Sequence, residues 1–154
     1  MKQRGFTLAE LLIVLAMAAI LVAIAVPSYG FLVTSGRLTS ATNDMLLALH
    51  LARSEAIKRG MRVTVCKTSN PNAPTPTCDQ TAGWHQGWLV FVDGGVRGVV
   101  DGGDAILQVY GDISAWASIT TGGNYRRYVS YTPMGTSQGS SGLHNDTFEI
   151  CVSG

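Results

Sequence analysis

Glu10 is the residue whose chemical type and position together ask most for an explanation. It stands in an apolar run from Leu8 to Val26, 19 residues in which it is the only charge. A carboxylate in a lipid-length apolar stretch costs about 2 to 3 kcal/mol, and a group that carries such a cost is by default a functional one. The chemistry open to it is ion pairing, because two otherwise uncompensated charges attract strongly in low dielectric. Other residues qualify by type alone. His144, Asp146 and Cys151 could furnish a nucleophilic site, but their loop context holds no orienting scaffold or oxyanion feature. Catalysis is therefore rejected and no catalytic residue is assigned. Asp93, Asp101 and Asp104 lie among five glycines but lack the bidentate acid and regular spacing of a calcium loop; aspartate and glycine are the ordinary residues of turns. No spacing resembles a zinc site, and neither a metal nor another cofactor is expected.

The element that must carry Glu10 is a helix, and 19 residues of helix rise roughly 28 Å, close to the thickness of a bilayer core. Lys2 and Arg4 precede it and favour a cytoplasmic N-terminus, with everything after Val26 delivered outward. Three arrangements compete. A plain single-span anchor leaves Glu10 as a cost without return. A secretory signal peptide would cleave near Ala23-Ile24-Ala25, yet gains nothing from a charge in its apolar region. The third uses every odd feature: a short basic leader ends in Gly5, Phe6 becomes the new N-terminus, and Glu10 is the fifth residue after the cut.

The string Gly5-Phe6-Thr7-Leu8-Ala9-Glu10-Leu11-Leu12 resembles the N-terminus of type IV pilins and type II secretion pseudopilins. The resemblance implies that a prepilin peptidase cuts between Gly5 and Phe6 on the cytoplasmic side and methylates the Phe6 amine. It also implies other pilin or pseudopilin subunits, the inner membrane and its assembly platform as partners. When such helices stack, the terminal ammonium of one subunit approaches Glu10 of a neighbour, and that pair selects one axial register. Ala16, Ala18, Ala19, Ala23 and Ala25 are small enough for close helix approach, though ordinary membrane-helix composition accounts for them equally well.

The remaining chain has room for a single small domain, and a formal charge of +1 recommends no nucleic-acid partner. Pro27 removes a backbone donor and is expected to kink the helix. From Leu38 the apolar positions Ala41, Met45, Leu49, Ala52 and Ala56 form one helical stripe. Lys58 and Arg59 suit the negative end of the helix dipole, and Gly60 a left-handed cap. Tyr29-Gly30-Phe31 and Ser35-Gly36 are weak helix formers, so a bend or fraying is expected there. His50 reads as a solvated or core-edge residue rather than a ligand. After Gly60 the period switches to two. Met61, Val63 and Val65 alternate with Arg62, Thr64 and Cys66 as a half-buried strand. Further strands are expected at Gly87–Val92, buried by its composition, near Ala105–Tyr110, Ser114–Thr120 and Tyr125–Tyr131, and at Thr147–Val152. Residues 67–83 and 133–145 are expected as exposed loops. The outcome is an α+β fold: a long N-terminal helix, membrane-spanning in its first half, packed on a small antiparallel β-sheet or β-sandwich head. Residues 1–5 form the leader, 6–27 the membrane and filament-core helix, 28–60 an amphipathic helix and 61–154 the head.

This second half is similar to the GspH/FimT family of minor pseudopilins and minor pilins. The similarity rests on Ala52-Arg53-Ser54-Glu55-Ala56, Val63-Thr64-Val65-Cys66, Gly87 to Asp93, and Tyr131-Thr132-Pro133-Met134-Gly135. It implies a subunit that assembles into, primes or caps a type II secretion pseudopilus or a type IV pilus. Members of the T type bind DNA through a C-terminal Gly-Arg-x-Arg motif; this sequence has none, Arg126-Arg127 stands in another context, and DNA is not expected as a partner. Family members usually add strand beyond the position of Gly154, so a short form is expected here. Three cysteines in an outward-facing domain invite a disulfide. Cys66 with Cys78 closes the proline-rich loop and leaves Cys151 free or paired outside the chain; Cys66 with Cys151 is the other pairing considered. Trp84, Trp88 and Trp116 read as packing groups rather than a carbohydrate platform. The alternative to an assembly subunit is a head-domain binding module that holds a secretion substrate, DNA or a surface through the two loops.

Overall fold

A computed structural model describes the backbone of residues 7–153, together with their side chains outside 25–28. Among the described residues the order is α1 (Leu8–Arg59), β1 (Val63–Lys67), a 3-10 turn (Trp84–Gln86), β2 (Trp88–Val92), β3 (Ile106–Tyr110), β4 (Ala117–Thr121), β5 (Tyr128–Tyr131), β6 (Ser137–Gly139) and β7 (Phe148–Val152). The chain divides after Gly36 into two compact units. In the first, every residue from 7 to 24 is exposed. The helix bounds run through Pro27 and through the weak formers at 29–36 without interruption, so neither ends the element nor frays it. Local ties help: the Ser35 hydroxyl donates to the Leu32 carbonyl at 3.1 Å.

In the second unit the helix buries Ala41, Met45, Ala48, Ala52 and Ala56. Leu49 is half-buried and Leu38 stays exposed, so the apolar face is shifted toward Ala48 from the stripe its spacing predicts. Arg59 ends the helix, and Gly60 at φ 64° turns the chain left-handed into β1, a conformation that penalises any side chain.

Five strands form an antiparallel sheet in the order β3-β2-β1-β5-β6, while β4 and β7 pair separately. Of the central pair, β2 is buried as its composition implies, and β1 differs from expectation. β1 is not half-buried but buried along its whole length, as is β2. Val63, Val65, Trp88, Val90 and Val92 face the helix alanines, together with Trp84 and Ile119. Cys66, Leu89 and Phe91 enter a second cluster with Cys78, Val100, Val109 and Tyr128. The loops after β1 and β2 thus cover the face that alternation would leave to water. Thr64 survives on that face because its hydroxyl donates to Asp93 Oδ2 at 2.6 Å. With that proton committed, Ser130 Oγ must donate to Thr64 Oγ1 at 2.8 Å. Arg62 Nη2 and the Gly98 amide also donate to the buried Asp93 carboxylate.

Three strand boundaries differ as well. Residues 113–116 form a turn, with the amides of Trp116 and Ala117 donating to the Ile113 carbonyl, so β4 starts at Ala117. Tyr125 is buried ahead of β5, its amide donating to Asp146 Oδ2 at 2.7 Å. The expected 133–145 loop contains β6, which pairs with β5 through Val129↔Gly139 and Tyr131↔Ser137. Gly135, at the turn before β6, has φ 74°, and a Cβ built there would lie 2.8 Å from Ile57 Cδ1. Gly135→Ala is expected to destabilise the head by about 1–2 kcal/mol, read as a lowered urea midpoint with unchanged slope.

Candidate functional site

Thr7 opens the apolar helix. Its carbonyl accepts from the Leu11 amide at 3.2 Å and its hydroxyl from the Glu10 amide at 3.3 Å. Thr7-Leu8-Ala9-Glu10 has the spacing of a capping box, a signal present in the sequence that its reading passed over. Glu10 lies in the first turn, where the helix dipole favours an anion. It is exposed and has no ion-pair partner among the described residues. Along the helix beyond it, Leu11, Leu12, Ile13, Leu15 and Ile20 all present their side chains outward. By length and composition the helix is able to cross a membrane. Gly5 and Phe6 lie outside the described residues, as does the side chain of Pro27.

On the head, the side of the helix opposite the alanines exposes Leu46, Leu47 and Ile57 alongside His50, Arg53 and Ser54. Glu55 holds Arg59 and Lys58 near the helix end, and its carboxyl lies below the usual range chiefly through the Arg59 hydrogen bond. Arg37 places its guanidinium 5.8 Å from the centre of the Trp116 ring. Trp84 packs edge-on against Phe148 and donates its indole N–H to the Tyr125 carbonyl at 3.0 Å. Trp88 stacks on Tyr110.

The loop after β1 is held from both ends. A disulfide joins Cys66 to Cys78, with their Cα atoms 5.7 Å apart. Next to it, the Asp79 amide donates to the Lys67 carbonyl at 2.8 Å. Hydroxyls of Thr81 and Ser69 donate to the Asp79 carboxylate and hold it well below the usual carboxylate range. Within the loop, Asn70 Oδ1 accepts from the Thr68 hydroxyl and the Thr77 amide, and Pro76 is buried. Cys151 is free and exposed on β7, opposite Ser118 in the other sheet.

The remaining polar residues singled out in the sequence serve as turn ties. Asp146 accepts from the Tyr125 and Thr147 amides, and His144 Nδ1 meets the Ser137 carbonyl at 2.6 Å. Asp101 and Asp104 accept from the amides of Val96, Gly94 and Asp101. The structure therefore brings together Cys66 and Cys78, but not His144, Asp146 and Cys151 as a reactive group.

A long apolar N-terminal helix followed by a small antiparallel β head is the pilin fold. A family model described as type II transport protein GspH matches residues 41–154, and the prokaryotic N-terminal methylation motif matches residues 1–26. The chain belongs to the GspH family of pilin-like proteins, whose members are structural subunits rather than enzymes. Among solved structures it is similar to the type IV minor pilin FimU of Pseudomonas aeruginosa, with 18% identity over 76% of this chain and 73% of that one and a TM-score of 0.52. The same protein in a second crystal form gives 18% identity, 74% of each chain and a TM-score of 0.49. A search of curated proteins returns no significant match. Family and apolar helix together point to membrane anchoring and to association with other pilin subunits in a pilus or pseudopilus.

The Cys66–Cys78 bridge closes a loop of 12 residues' separation. Its reduction is expected to lower the stability of the head by up to about 3 kcal/mol, measured by urea denaturation with and without reductant. A non-reduced peptide map should show this pair linked and Cys151 free.

Proposed function

We propose that the chain is a minor pilin or pseudopilin subunit that inserts in the inner membrane and assembles into, primes or caps a pilus or pseudopilus. The observation that carries this reading is the carboxylate of Glu10, without an ion-pair partner among the described residues, in the first turn of a helix whose stretch from Leu11 to Ile24 is apolar and exposed on every side. Such a helix has no partner surface within its own unit, so its burial must come from lipid or from other helices. Residues 1–5 are the leader that prepilin peptidase removes, and Phe6 receives the methyl group. Residues 6–27 then serve as membrane anchor and filament core, 28–60 as the connecting helix with a bend at Pro27, and 61–154 as the head, held outside the cytoplasm. In the filament the Phe6 ammonium of one subunit pairs with Glu10 of another. The first-turn position suits this pairing, since it sets the carboxylate close in sequence to the new terminus.

Mass spectrometry of the mature protein is expected to find an N-terminus at N-methylated Phe6. A terminus at Val26 would establish a secretory signal instead, and a retained Met1 a plain anchor.

Glu10→Ala is expected to leave membrane insertion intact or improved, because a charge is removed from lipid at a saving of about 2–3 kcal/mol. Incorporation into the filament should nevertheless fall sharply at native expression. Normal assembly of the variant would show that the carboxylate sets no register.

A further inference from the structure

Beside the disulfide-pinned loop the head carries a cavity of about 560 Å³ lined by Lys67, Gln80, Thr81, Ala82, Arg126 and Arg127. The cations come from distant parts of the sequence. Antiparallel pairing of β1 with β5 sets Cys66 opposite Tyr128, so Lys67 and Arg127 follow at the same end of the ladder. Lys67 is only 6% exposed, and its Nζ donates to the Gln80 carbonyl at 3.0 Å. Burial draws the Lys67 ammonium below its ordinary range; Asp79 opposes this, while Arg126 and Arg127 reinforce it. Asp79 is the carboxylate among these neighbours, and its oxygens already accept from Ser69 and Thr81. Arg126 and Arg127 make no hydrogen bond or salt bridge among the described residues, and both are exposed at the rim. The fold thus gathers three positive groups around a cavity and leaves two guanidinium forks with their donors unspent.

We propose that this cavity binds a small phosphate monoester of sugar-phosphate size. A phosphate monoester brings close to two negative charges and three acceptor oxygens, which matches two guanidinium forks and an ammonium better than a carboxylate does. The phosphodiesters of nucleic acids and lipids carry one charge per group and satisfy the cluster less well. The cavity is several times larger than a phosphate, so a polar body is accommodated with it, and Gln80 and Thr81 supply polar groups for its hydroxyls. No aromatic ring lines the walls, so nothing there would stack a base as single-strand binders do.

The test is calorimetric titration of the full chain in neutral detergent, at low salt, with glucose 6-phosphate, with glucose, with an oligothymidylate and with phosphatidylglycerol dispersed in the same detergent. Saturable binding of glucose 6-phosphate and none of glucose is the expected result. Arg126→Ala/Arg127→Ala, with an unchanged circular dichroism spectrum, should weaken it at least about tenfold. Both arginines are exposed and unpaired, so the fold does not depend on their head groups. Absence of saturable glucose 6-phosphate binding, equal binding by the double variant, or binding only of the oligonucleotide or the phosphatidylglycerol would each overturn the proposal.

Discussion

The packing of the helix alanines against the central strands is the contact on which the head depends. Ala48, Ala52 and Ala56 are fully buried and, with Ala41, give that side of the helix almost no side-chain height. The valines of β1 and β2 share one buried cluster with these alanines, and Met45 and Trp88 supply its bulkier side chains. A larger residue at any of these alanines would have to displace the sheet, because interiors packed at crystal density do not absorb extra methylenes cheaply. The opposite side of β1 and β2 is then free to take a second layer. The disulfide, Phe91, Leu89 and Tyr128 supply it, so one pair of strands organises both halves of the core.

The two units solve different solvent problems with one element. From Leu11 to Ile24 the helix is apolar around its circumference and exposed, a surface suited to lipid or to other subunits. From Arg37 it becomes amphipathic and buries one face inside its own chain. The division falls where Ser35 and Gly36 interrupt the strong helix formers. The helix nevertheless persists there, since exposed glycine and serine each cost only a fraction of a kcal/mol to about 1 kcal/mol in an interior turn.

Much of the fold could be read from the chain because its signals are local. The 3.6-residue stripe marked the docking helix, Gly60 its end, and β-branched runs marked β1 and β2. What escaped depends on contacts distant in sequence. Alternation in β1 looks the same whether Thr64 meets water or the buried carboxylate of Asp93, and only the tertiary partner decides. Ser137-Gln138-Gly139 has no strand propensity and is extended because β5 pairs with it. The Lys67, Arg126 and Arg127 cluster is likewise a product of strand register, invisible as a motif. The Thr7 cap was legible at a spacing of three, but the apolar run and its odd carboxylate drew the reading elsewhere.

The loop after β1 also changes what a protease meets. Between Arg62 and Arg97 the only lysine or arginine is Lys67, and it is buried at the end of a paired strand. The intervening segment carries three prolines and is tied back by a disulfide, a backbone hydrogen bond and the Asp79 hydroxyl pair. An enzyme that cuts after lysine or arginine needs the flanking chain free to enter its cleft, and nick sites concentrate in exposed loop tips. The longest irregular stretch of the head thus offers trypsin-like enzymes no foothold, and their openings in the domain fall instead at the exposed Arg97, Arg126 and Arg127 of its shorter loops.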